Sequence, residues 1–547
     1  MDERFRALSR SNGRNVSVRG PLRLAYVDAT PPISGPVAAA LRRFWVRIRG
    51  LPWRRFAAGG LAGFAALLLT LLMRIFGLGV FLPDVAVDFA VGLVPGSVES
   101  AFIRAMGGGA KVLAIVVAVV LILCAYGLAA VFYRRVESVL KNRWLVIAAY
   151  TFGSSLAILL VILPLLGGGV AGSNTYQGPW AAAFSQLLGG WLFATVLDHF
   201  LVEIPAKHPE GFALSRRDFL KWGIASVIVA VGALYGLSRT IPNVARLAFA
   251  SVSEMIAKEV TPTEEFYVVS KNVVDPSVDA GTWRLVIDGL VAAPATHTYE
   301  ELRAMLPVEE YATLECVSNE VGGNLISTAK WSGLRLGDVI DAANPEPGAD
   351  WVLFSCADGY TVGVELAKAR DPATLLALAM KDAPLPGKHG FPARVLVPGK
   401  YGMFSAKWVT RITLVQGEVL GFWQQKGWTN DGRVRPTAII ATPAADSVVS
   451  GPVRIGGIAF SGDRGVSLVE VSTDGGITWS AATLRSPPKS NLTWVLWTFP
   501  WTPPAGGSHR VLARMVDGAG VPQETAKAPP FSRGASGYDA ITLLVSA

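Results

Sequence analysis

The sequence predicts a chain of several domains: an N-terminal α-helical transmembrane bundle of about five spans, then a soluble half that closes in a β-sandwich. Three observations predict it. Up to about Leu237 the chain is membrane-like, whereas beyond about Val260 it has mixed charge, many Pro and Gly, and short alternating segments. Its 51% hydrophobic and 17% charged composition therefore averages two unlike halves. Five apolar runs approach or exceed the roughly 20 residues that a helix needs to cross a bilayer. From about Arg435, alternating strands recur around hairpin signals.

Residues 1–55 form a basic tail containing Arg4, Arg42, Arg43, Arg54 and Arg55 among other arginines, and they carry much of the net charge of +9. No aromatic-interleaved basic motif points to nucleic acid, so beside a membrane span this tail reads as cytoplasmic. The transmembrane domain covers 56–240, with spans near Phe56–Phe76, Val112–Tyr133, Leu145–Leu166, Trp180–Val202 and Phe219–Leu237. Leu78–Val94 is also apolar, but it carries Pro83, Asp84 and Asp88 and reads as an extracytoplasmic or interfacial piece. Arg134, Arg135, Lys141 and Arg143 follow the second span, and Lys207, Arg216, Arg217 and Lys221 precede the fifth. The loop 167–178 is uncharged. The positive-inside rule then puts the N-terminus in the cytoplasm and everything after Leu237 on the outer face of the cytoplasmic membrane. Intramembrane haem is not expected, because only His199 of the five histidines lies in a span. Asp198 and His199 could form a proton or quinone site, although snorkelling at the interface is the simpler reading. Cys124, within an apolar run, reads as a small core residue.

Ser215-Arg216-Arg217-Asp218-Phe219-Leu220-Lys221, followed by an apolar run, resembles a twin-arginine export signal. That resemblance implies the export machinery as a partner and an outer domain that is folded around a cofactor before transfer.

A linker, 241–262, leads to 263–433. There "YATLECVSNEVGG" carries Cys316, and "LPGKHGFPARVLVPGKYGMFSAKW" carries His389, Arg394, Lys400 and Lys407 among Gly and Pro turns. Cationic loop donors beside glycines suit an anionic, phosphate-bearing ligand, or are plain surface. Cys316 by itself reads as a buried thiol or as a disulfide partner of Cys356. A cysteine hydrolase with His389 as base lacks an oxyanion or third-member signature.

These segments, with "VEVSTDGGITW" further on, resemble the sulfite oxidase family of molybdopterin oxidoreductases over about Phe266–Ala547. The resemblance implies a mixed α+β domain holding molybdenum–molybdopterin, with Cys316 as the thiolate ligand of the metal. It implies His389, Arg394, Lys407, Asp358, Gly399 and Gly402 as cofactor-binding positions, and Asn272, Asn319 and Trp428 as active-site positions. Cys356 is then a buried free thiol. Where the family has C-A-G-N-R-R, this chain has Cys316-Val317-Ser318-Asn319-Glu320-Val321. Ser270 takes the arginine place of F-x-x-R-N-H, and Trp428 takes that of a tyrosine. Lys271 offers a single ammonium in place of guanidinium forks. The expected substrate is a small sulfoxide, N-oxide or similar compound, not sulfite. The superfamily's methionine sulfoxide reductase subunit is an analogue, although its sequence around the cysteine is not reproduced here.

Residues 434–547 read as an immunoglobulin-like sandwich, with Val469 and Val471 before an Asp474-Gly475 turn and Ile477 and Trp479 after it. Such a domain makes dimers in the family, which implies a homodimer. Trp479, Trp494, Trp497 and Trp501 read as core and interface residues. The remaining expected partners are the bilayer and an external electron-transfer protein or quinone. Two rival readings are a cofactor-free outward-facing scaffold that retains the fold, and a quinone-coupled module that uses the membrane domain.

Overall fold

The computed structural model describes residues 52–98, 101, 109–175, 177–203, 245–272, 275–504 and 506–546. From Trp53 onward they belong to one compact unit. Most of the basic tail, and the twin-arginine stretch with the predicted span Phe219–Leu237, lie outside the described residues.

The helical part contains α1 (Trp53–Ile75), α2 (Leu82–Leu93), α3 (Gly109–Val131), α4 (Arg143–Leu165) and α5 (Gly178–Val202). Among the described residues four helices, all but α2, are long and apolar enough to cross a bilayer. Small residues let them approach closely, as in bilayer-type packing. A Cβ on Gly63 of α1 would stand 2.6 Å from the Tyr126 ring of α3, and one on Gly190 of α5 would stand 2.5 Å from Ser155 Oγ of α4. Ser155 also donates to the Gln186 carbonyl at 2.8 Å. Asn142 caps α4 by accepting from Trp144 N at 2.9 Å.

Two expectations change here. Asp198 does not snorkel: it is fully buried and accepts from Tyr133 Oη at 2.6 Å and from Arg143 Nε at 2.7 Å. A buried carboxylate persists only when several donors offset its desolvation, and here Tyr133 and Arg143 supply them. Cys124 is exposed on α3 and not in a core, because its side of that apolar helix is not covered by the other described residues. Leu78–Val94 folds as a helix, α2, with Pro83 in its first turn and Asp84 bonded to Arg74 at 3.2 Å.

The next part is α+β. One mixed five-stranded sheet has the order Ala295–Thr298, Arg284–Gly289, Val409–Val415, Trp351–Cys356, Thr361–Glu365. In it Arg284–Gly289 and Val409–Val415 run parallel, which requires the long crossover between them. The second sheet is antiparallel. Val308–Glu315 pairs with Ile326–Arg335, which pairs with Leu375–Met380, and the last also carries Ala383–Pro384 and Arg394–Leu396. Leu285, Ile287, Phe354, Leu376 and Val395 are among the apolar side chains buried between them.

The C-terminal part is a sandwich of a four-stranded and a five-stranded sheet. The predicted turn is present: Asp474 accepts from Ile477 N and Thr478 N, both at 3.0 Å, between paired strands Val466–Ser472 and Ser480–Ala481. Trp497 and Trp501 are buried in the sandwich core. Trp494 joins the two domains, its backbone N donating to Thr313 Oγ1 at 2.9 Å and its Nε1 to the Glu259 carbonyl of the linker at 2.9 Å. Trp479 is half-buried under the Arg514 guanidinium, 4.2 Å from its ring centre.

A candidate cofactor and active-site cavity

Cys316 immediately follows the strand Val308–Glu315, at the start of a ten-residue connection to Ile326. Asn319 closes that connection: its Oδ1 accepts from Leu325 N at 3.0 Å, and its Nδ2 donates to Glu315 at 3.1 Å. The loop therefore presents the Cys316 sulfur at a fixed point, 3.1 Å from Ser318 Oγ. Burial pushes the thiol upward, partly offset by the Ser318 contact. A bound metal reverses this and keeps the sulfur as thiolate. Glu315, also buried, is pushed up to about 7 by desolvation.

Cys316 lines a cavity of about 1110 Å³. Of the ten predicted site residues, Cys316, Asp358, His389, Arg394, Gly402, Lys407 and Trp428 line it. Asn272, Asn319 and Gly399 do not. Asn272 donates from Nδ2 to Asp358 at 2.8 Å and so braces a lining residue from behind. Asn319 acts on the loop as described. Gly399, at φ +87°, lies against Asp463 of the sandwich, where a Cβ would collide, so it serves the domain junction.

The cationic end is built by two turns. His389 ends a 3-10 turn and Arg394 begins the strand that edges the second sheet. A Cβ on Gly390, whose φ is +111°, would stand 3.1 Å from the Cβ atoms of both Arg394 and Lys407. Glycine there lets the two cations converge. Arg394 is 5% exposed, and it donates to the His389 carbonyl at 3.2 Å and the Ser405 carbonyl at 3.0 Å. Its Nε has no partner, and among the described residues it makes no salt bridge. Desolvation lowers it to about 10. Desolvation, then the neighbouring Arg394 charge, depresses His389 to about 3. A buried guanidinium without a carboxylate is costly unless an anion completes it. The cradle thus fits a phosphate-bearing cofactor.

Several lining residues carried no motif signal. Tyr267, three residues before Ser270, reaches over Gly402, where a Cβ would strike its hydroxyl. Its ring stacks on Phe266, whose edge meets His389 at 5.4 Å. Tyr360 donates to the Met403 carbonyl at 2.6 Å. The cavity does not end at the catalytic domain. Ala86, Val87 and Val91 of α2, Val117 and Ala125 of α3, and Ile158 of α4 also line it.

Residues 272–423 match the family model described as oxidoreductase molybdopterin binding domain, and residues 432–527 match the Mo-co oxidoreductase dimerisation domain. The sulfite oxidase of Gallus gallus is 31% identical over 327 residues, covering 51% of this chain and 71% of that protein. The chain belongs to the sulfite oxidase family of molybdopterin oxidoreductases. It is therefore an enzyme class member, and its catalytic and dimerisation-type domains follow the four long apolar helices found among the described residues. The sulfite oxidase of Arabidopsis thaliana is 29% identical, with 49% of this chain and 83% of that one covered. The nitrate reductase [NAD(P)H] of Hordeum vulgare is 30% identical, with 42% and 32% covered. The chain spans 56% of the human mitochondrial sulfite oxidase.

Proposed function

We propose that this chain is a membrane-anchored molybdenum oxidoreductase working on the outer face of the cytoplasmic membrane. It transfers an oxygen atom to or from a neutral or weakly charged substrate of the sulfoxide or N-oxide kind, not sulfite. Cys316 would hold the metal, and His389, Arg394 and Lys407 the pterin and its phosphate, with Asp358 as an acceptor beside them. The cofactor supplies a two-electron metal centre able to exchange an oxygen atom. The protein's own part is to hold that group in a water-poor pocket walled by Tyr360, Trp423 and Trp428.

The observation that carries the substrate reading is the state of Lys271. Lys271 lines the cavity, but its ammonium is already 3.4 Å from the Asp88 carboxylate and 3.1 Å from Asn272 Oδ1. The other lining cations, Lys388, Arg394 and Lys407, cluster with the neutral His389 at the cofactor cradle. A sulfite dianion would lose its hydration without a matching guanidinium fork, which a neutral oxide does not need.

Membrane anchoring and orientation draw support from the helices. Trp53 and Trp144 are exposed at the end of the bundle that carries Arg134 and Arg143, and Trp180 is exposed at the other end, as in an aromatic belt. The catalytic domain contacts α2, on the side away from the arginines. A homodimer through the sandwich and export by the twin-arginine machinery belong to the same reading.

The test is metal analysis with a substrate screen. Near-stoichiometric molybdenum that vanishes in Cys316→Ser, with reduced protein reoxidised by sulfoxides or N-oxides, supports the proposal. Metal-free folded protein from a cofactor-competent host sinks it. Turnover with sulfite in the opposite direction sinks the substrate reading.

A further inference from the structure

We propose that the helix-lined arm of the cavity binds a membrane-soluble quinol, with its apolar chain between α2, α3 and α4 and its redox-active head at the Cys316 end. The inference rests on the reading of that cavity as the catalytic site. Along α3 the lining residues recur from Leu113 to Ala129 on one face of the helix, a length of about 24 Å at 1.5 Å per residue. This approaches the thickness of the hydrocarbon core, about 30 Å. The α2 and α4 side chains lining the arm are apolar apart from Ser154. The arm passes α4 at the π turn Ile158–Ile162, where Ile158 and Ile162 both line it. Such turns recur at functional sites. Pro164, which has no N–H to offer the Leu160 carbonyl, follows at once.

The total volume, about 1110 Å³, slightly exceeds what a single drug-sized ligand fills. A long flexible chain with a compact head matches both its length and its change from apolar to polar lining. The chemistry asks for such a head. Reduction of a sulfoxide consumes two electrons and two protons and yields a thioether and water. One quinol releases two electrons and two protons and becomes a quinone, so the overall exchange balances with no other reactant. Because Cys316 opens onto the same cavity, donor and substrate take turns there.

The test uses full-length protein in lipid nanodiscs and a photoreactive azido-benzoquinone bearing a decyl chain. Labelling is expected in the segments carrying Val117 and Trp423, and at least ten-fold more excess of the chainless head than of decyl-benzoquinone should be needed to block it. Val117→Trp and Ala125→Trp, at exposed positions that line the arm, should weaken labelling at least ten-fold while molybdenum content is retained. Leu128→Trp, exposed on the same helix but outside the arm, should label like the parent. Equal competition by the chainless head, labelling confined to other surfaces, or undiminished labelling in both tryptophan variants overturns the proposal. Molybdenum lost in Cys316→Ser without chain-dependent labelling rejects the quinol arm only. Chain-dependent labelling of a parent protein that holds no molybdenum rejects the enzyme reading only.

Discussion

Lys271 and Asp88, 183 positions apart in the chain, meet at 3.4 Å and tie the catalytic loop to helix α2. Lys426 adds a second tie by donating to the Val91 carbonyl at 2.5 Å. The carboxylate keeps the Lys271 charge from acting on whatever enters the cavity. Asp88→Asn should release it, strengthening inhibition of turnover by sulfate several-fold at low salt. The gain should fade as ionic strength rises. Because the Lys271 side chain is buried, losing its carboxylate partner should also lower stability, by about 1–3 kcal/mol. An unchanged inhibition constant would mean that Lys271 does not face the substrate space.

Arg394 makes a sharper prediction, because its buried charge lacks a carboxylate. In protein made without cofactor, Arg394→Met should leave the melting temperature unchanged or raise it, since a buried unpaired cation disappears. In cofactor-replete cells the same variant should lose most of its molybdopterin, measured by fluorescence of the released pterin. A melting temperature that falls in both preparations would mark Arg394 as purely structural.

His389 sets a pH dependence. Its folded value, about 3, lies below the ordinary histidine value, so between the two the unfolded chain binds the extra proton. The stability contribution is therefore present above about pH 6.5 and is lost as pH falls toward 3. At pH 5 the loss should be about 2 kcal/mol in cofactor-free protein. Urea titrations of the parent and His389→Gln should converge in acid and separate near neutrality.

Asn319 and Ser318 divide the work around Cys316. Asn319→Ala should release the loop, since Leu325 N and Glu315 both lose a partner, at a cost of about 1–3 kcal/mol. Ser318→Ala should leave stability within about 1 kcal/mol and shift the absorption of the thiolate–metal bond in the loaded protein. Circular dichroism melts and visible spectra separate the two.

Arg216 and Arg217 lie outside the described residues, and their role is a matter of sorting. Replacing both with lysine should strand the catalytic domain in the cytoplasm, read by protease protection in spheroplasts. Unchanged exposure to protease would remove the export reading.

Local pattern made much of this protein legible. Apolar runs of sufficient length identified α1, α3, α4 and α5 to within a few residues, because a helix in hydrocarbon needs only its own backbone bonds and an apolar surface. The glycine and cation spacing of 385–407 left an anion site and plain surface both open, and it was the resemblance of that segment to the family that implied the cradle. What sequence by itself determined was therefore the series of elements and the chemistry each one carries. Tertiary structure alone decided that Asn319 braces a loop, that Gly399 meets the sandwich, and that Asp198 is held by Tyr133 and Arg143. It also decided that α2 lies beneath the catalytic domain, so that Asp88 neutralises Lys271 and one cavity joins Cys316 to the helices. Each of these rests on side chains from separate elements, and the free energy of such a contact depends on packing that no short stretch of sequence contains.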